Sequence, residues 1–121
     1  MILYRKGYYK EMPHAEKTDP SMLDYIGKKI ADKKKICEYL QNGIVLAACG
    51  RVSVDVLHPE KGIAGPLDEM TDGKWMWPGD LAYYVANYDL KLDEEFVNYM
   101  EANDWTVPND LEIDEDDLEV Y

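Results

Sequence analysis

The chain lacks any apolar run approaching the ~20 residues that a membrane-crossing helix needs. Its opening, Met1 to Lys10, carries charge but no apolar stretch of the kind a secretory leader has. A cytoplasmic location is the expectation that follows. Cysteine is scarce: Cys37 and Cys49 are the two. They are expected as reduced thiols, and their neighbours Ile36, Ala47 and Ala48 suit small buried hydrophobes. Histidine is equally scarce, and His14 and His58 each adjoin a proline. Together with the cysteines they form neither C-x-x-C nor H-x-x-x-H, so no metal site is expected. The signatures G-x-x-x-x-G-K-[ST], G-x-G-x-x-G and G-x-S-x-G are missing too. Neither histidine has a nucleophile close to it in sequence. The run Asp93-Glu94-Glu95 is accounted for by capping and dipole effects at a helix start. The expectation is a protein that is not an enzyme and needs no cofactor.

What is present fits one small domain. A chain of 121 residues buries roughly two-thirds of its unfolded surface, and 46% hydrophobic residues support a core. The charge is uneven. Residues 1–51 hold ten Lys/Arg and six Asp/Glu, a balance of +4, whereas residues 52–121 hold three and nineteen, a balance of −16. That second half repels nucleic-acid phosphates and anionic membrane surfaces. It would attract and steer a basic protein, although acidity also serves solubility alone.

Periodicity sets the expected elements. Ile2, Leu3, Tyr4, Tyr8 and Tyr9 around Gly7 read as a short strand. Arg5, Lys6 and Lys10 between the tyrosines could neutralise a nucleic acid, but a half-buried strand with solvated cations explains them. Asp19-Pro20 starts a helical pattern through Met22, Leu23, Ile26 and Ile30; Asp32 restarts it, and Asn42-Gly43 stops it. Lys28, Lys29, Lys33, Lys34 and Lys35 there read as a solvated face. Ile44 to Ala48 reads as a buried strand, and Val52, Val54 and Val56 as an alternating one. Asp72-Gly73 is a two-residue hairpin signal inside residues 67–77, pairing Met70 with Trp75 and Asp68 with Trp77. Met70, Trp75 and Trp77 then share one face, which should pack on the core. Leu81, Tyr84, Val85 and Tyr88 form a helical stripe behind Asp80, and Asp93 caps a last helix carrying Phe96, Val97 and Met100. The expected fold is a small α+β domain over 1–109, a short antiparallel sheet (hairpin 67–77) packed against about four helices. Residues 110–121, with seven acids, read as a disordered tail able to fold on a partner.

Three blocks carry a resemblance: Asp55-Val-Leu-His-Pro59, Thr71-Asp-Gly-Lys-Trp-Met-Trp-Pro-Gly-Asp-Leu-Ala-Tyr-Tyr-Val85 and Asp93-Glu-Glu-Phe96. Over Glu38 to Pro108 the chain resembles a group of small uncharacterised bacterial proteins. Small acidic proteins of this kind often resemble immunity proteins that neutralise secreted toxins, which implies by analogy a protein-binding role. The expected mechanism has carboxylates mimicking phosphates and occluding the cationic cleft of a basic toxin such as a nuclease, with tyrosines as anchors. Candidate binding residues are Asp68, Glu69, Asp72, Tyr83 and Asp89. The alternative is a small-molecule binder or enzyme with an aromatic pocket near Trp75, Trp77, Tyr84 and His58. A structural or regulatory subunit is a third option.

Overall fold

The computed structural model describes residues 1–108 and 110–121. The chain runs β1 (Ile2–Arg5), α1 (Lys33–Gln41), β2 (Ile44–Ala47), β3 (Val52–Val54), β4 (Ile63–Pro66), β5 (Glu69–Thr71), β6 (Trp75–Pro78), α2 (Leu81–Tyr88), α3 (Glu94–Ala102) and β7 (Glu119–Val120), with short 3-10 turns between. Five strands make a mixed sheet in the order β2-β5-β6-β1-β7, and β3 pairs with β4 in a separate two-stranded ribbon. β1 lies parallel to both β6 and β7, while β5 is antiparallel to β2 and β6. The short hairpin sheet against about four helices is therefore corrected to a five-stranded mixed sheet with three α-helices among the described residues. The physical reason lies in β6. All four of its residues are buried, so its tryptophans serve one core while Met76 serves another on the opposite face. A strand covered on both faces takes partners on both edges.

The turn before β6 differs from expectation by two residues. Met70 pairs with Trp77 and Thr71 with Met76. Asp72 sets this register: its Oδ1 accepts the backbone N–H of Lys74 at 3.0 Å and of Trp75 at 2.8 Å. Gly73, at φ 96°, supplies the left-handed position. A slip of two preserves the face of every side chain, so Met70, Trp75 and Trp77 still point into the main core. There they meet Tyr39 and Leu40 of α1, Tyr84 and Val85 of α2, and Phe96 and Met100 of α3. The opposite face holds a smaller cluster of Leu3, Tyr8 and Met76, flanked by Leu46 and Leu118.

The helical reading from Pro20 shortens to a 3-10 turn at Met22–Asp24, capped by Ser21. Glu11 holds this turn, accepting Ser21 Oγ at 2.6 Å and Met22 N at 2.7 Å. Asp19, the expected cap, instead binds the Arg5 guanidinium through both oxygens at 3.0 Å. Gly27, at φ 69°, then turns the chain so that its N–H bonds the carbonyl of Tyr88 at 2.9 Å. α1 starts after Asp32 and stops at Asn42 as read, and Asp93 caps α3 by accepting Phe96 N at 3.3 Å. β2, expected to be buried, is an edge strand with Val45 exposed. β3 alternates as read but inverted: Val52 and Val54 are exposed and Ser53 is buried.

The boundary at residue 109 lies outside the described residues. Beyond it, Glu119 and Val120 pair with Ile2 and Leu3 as β7, where the sequence reads as disordered. Leu118 packs beside the smaller cluster, and Leu111 lies over Gly73. An alanine Cβ at residue 73 would stand 2.7 Å from Leu111 Cδ1. Gly73→Ala is therefore expected to cost about 1–2 kcal/mol, from the left-handed backbone and the clash together. It should also speed proteolysis within residues 110–121 more than elsewhere, a difference that limited digestion and mass spectrometry read directly.

Candidate functional site

Four of the five candidate binding residues have partners inside the molecule. Asp72 is only 1% exposed and accepts the Tyr39 hydroxyl at 2.6 Å as well as the two turn amides. Burial, then Asp72, pushes the Tyr39 phenol up. Tyr83 donates its hydroxyl to Asp55 at 2.7 Å. Asp89 is exposed but pairs with Lys33 at 2.6 Å. Asp68 accepts Cys49 N at 3.4 Å. Glu69, half-buried on β5, has no ion pair among the described residues. Asp68 and Glu69 line separate depressions, so the five residues do not share one surface. The aromatic alternative divides as well. Trp75 and Trp77 pack against Phe96 in the core, whereas Tyr84 and His58 each stack on Tyr88.

Asp55 organises that second aromatic group. It is fully buried. One oxygen accepts the hydroxyls of Tyr83 and Tyr88, and the other accepts the backbone N–H of Leu57 at 2.8 Å and His58 at 2.7 Å. Burial alone would raise this carboxyl. The hydrogen bonds from Tyr88, Tyr83, His58 and Leu57 outweigh it and hold the group down to about 2. The arrangement ties the β3–β4 ribbon to α2. A signal for half of it stands in the sequence: an Asp two and three residues ahead of free amides before a proline is an Asx turn.

Asp80, read as favouring the α2 dipole, is buried and accepts the Ser53 hydroxyl at 2.7 Å. Burial raises its carboxyl, against the pull of Ser53 and of nearby His14. Cys37 and Cys49 are free. No group of three or more His, Cys, Asp and Glu converges as a metal would require among the described residues. Among them, too, no helix is long and apolar enough to cross a membrane.

Several of the acids that meet no cation among the described residues fall in the segment that ends in β7. Asp110, Glu112, Asp114, Asp116 and Glu119 are exposed and meet no cation among the described residues. Earlier acids are partly matched from the opening segment, as where Lys6 contacts Asp93 at 3.2 Å and Glu95 at 3.9 Å. The backbone of the edge is fixed: Glu119 N bonds Met1 O at 2.9 Å and Tyr121 N bonds Leu3 O at 2.8 Å. Ile2, Tyr4, Val120 and Tyr121 are exposed here, with the two tyrosine rings 5.9 Å apart. The sequence shows the acids of this segment punctuated by Val120 and Tyr121, but not that it pairs with β1 beside Ile2 and Tyr4. The chain matches no protein-family model, no curated protein and no solved structure.

Proposed function

We propose that this chain is a non-catalytic, cytoplasmic acidic module that binds a basic protein, acting in the manner of an immunity protein that covers the cationic cleft of a toxin such as a nuclease. One observation carries the reading: Glu112, Asp114, Asp116 and Glu119, exposed and without a cation among the described residues, lie on the chain leading into β7, a strand that pairs with β1 where Tyr4, Val120 and Tyr121 are exposed. Carboxylates can stand in for the phosphates a nuclease cleft attracts, and they steer a basic partner from a distance. Tyrosines supply large contact area at little entropic cost. An edge ordered before encounter saves part of the ordering cost that a disordered tail would meet on binding.

The test is affinity capture with the full chain from a bacterial lysate at low and at high salt, beside the variant E112Q/D114N/D116N/E119Q. A basic protein is expected to be retained at low salt, released at high salt and held far less by the variant. Equal retention by the variant, or the absence of any basic protein at low salt, overturns the reading.

A further inference from the structure

The sheet face opposite the helices carries a cleft of about 790 Å³. Its lining sets apolar Leu46, Met76 and Leu118 beside Tyr8, His14 and Glu69. Tyr8 is only 5% exposed, and neither its hydroxyl nor either ring nitrogen of His14 has a hydrogen-bond partner among the described residues. Buried polar atoms are almost always partnered, so this cluster marks hydrogen-bonding capacity that the folded chain leaves unused. Arg5 also lines the cleft, but Asp19 holds it at 3.0 Å and Glu16 lies 3.4 Å away, so its charge is already answered. Glu69 is not answered among the described residues. After burial, the Glu69 charge is the largest influence raising the Tyr8 phenol, which sets the carboxylate and the hydroxyl in one neighbourhood.

A cleft with an apolar lining, unused acceptors and an uncompensated carboxylate suits a flexible hydrocarbon stem that ends in a cation. We propose that this cleft anchors one lysine or arginine side chain of the partner. The source of that side chain rests on the function proposed above; the chemistry of the cleft does not. The methylenes lie against Leu46, Met76 and Leu118. The cationic head donates to Glu69 and to the Tyr8 oxygen, with His14 on the same lining.

The test needs no partner. The isotope-labelled full chain is titrated with N-acetyl-arginine methylamide and N-acetyl-lysine methylamide, against uncharged N-acetyl-norleucine methylamide, and followed by amide chemical shifts. Saturable shifts at Tyr8, His14, Glu69 and Leu118 are expected from the cationic compounds alone. Glu69→Gln should weaken them about tenfold, the scale of one charge-assisted hydrogen bond. Should Glu69→Gln disturb β5, visible as shifts throughout the spectrum, Tyr8→Phe removes the hydroxyl at constant ring volume and is expected to weaken binding several-fold. Equal shifts from the norleucine compound, no saturation with either cation, or full affinity in both variants overturns the proposal. Cleft binding with no basic protein captured from the lysate overturns the partner as the source and assigns the cleft to a free alkyl cation. Capture of a basic protein without cleft binding overturns the cleft and leaves the acidic edge standing.

Discussion

Replacing Trp77 by alanine is expected to remove about 3–5 kcal/mol of stability, a large share of what a domain this size possesses. Trp77 has no exposed surface and packs against Tyr39 and Phe96, at ring distances of 6.0 and 5.4 Å. It joins α1 and α3 to the sheet through one side chain. Its indole N–H also donates to the Leu40 carbonyl at 3.1 Å, satisfying a group at the end of α1 that the helix itself leaves short of donors. Trp77→Phe keeps a ring but loses the donor and some volume, and should cost less than the alanine change. Gly43 offers an independent check. A Cβ there would sit 2.5 Å from Trp77 Cζ2, so Gly43→Ala should destabilise the native chain and cost markedly less in the Trp77→Phe background. Urea unfolding of the two single variants and the double variant measures that coupling; strict additivity would contradict the packing described.

Asp55→Ala should cost about 3 kcal/mol, because two tyrosine hydroxyls and two backbone amides lose one shared acceptor. The conservative Asp55→Asn carries a sharper signature in pH. The folded carboxyl is held near 2 against an ordinary value of 3.8. Depression of this sign means the carboxylate contributes stability above the ordinary value, and the contribution is lost as pH falls from there through about 2. The difference in unfolding free energy between wild type and Asp55→Asn should therefore shrink on acidification across that window and be flat above it. Asp80 works in the opposite direction, since burial raises its carboxyl, and the comparison with Asp55→Asn removes it because both chains carry it. A constant difference down to pH of about 2 would show that Asp55 acts through shape rather than charge.

Local features of this fold are legible in the sequence where one residue does one job with near neighbours. Asp93 caps α3, Leu81, Tyr84 and Val85 of the α2 stripe are fully buried with Tyr88 half-buried, and Asn42 ends α1. The turn at Gly73 is legible in place but not in register, because Asp72 uses its side chain to capture two following amides and the pairing shifts by two residues. The partnership of β1 with β6 is not legible. It joins Tyr4 to Trp75 across most of the chain, and no local period encodes a parallel partner. One hint was available: Met76 between two tryptophans is apolar at both parities, the mark of a strand buried on both faces. For the candidate site, composition gives the number of carboxylates but not their engagements. Asp72 and Asp55 are taken up by hydroxyls of Tyr39, Tyr83 and Tyr88, which helices distant in sequence deliver. The late acidic segment is legible as acidic and illegible as part of a sheet, because its anchors Leu111 and Leu118 are isolated apolar residues rather than a pattern.

The place of β1 between β6 and β7 has a consequence for synthesis. A ribosome releases Ile2–Arg5 long before either neighbouring strand exists, so during translation this segment has two open edges and apolar Leu3 with nothing to cover it. Sheet closure is then a late event, gated by the emergence of residues 75–78 and finished by residues 119–120. Until that moment the nascent polypeptide offers a natural grip for holdase chaperones, and truncated products should be cleared rather than accumulate.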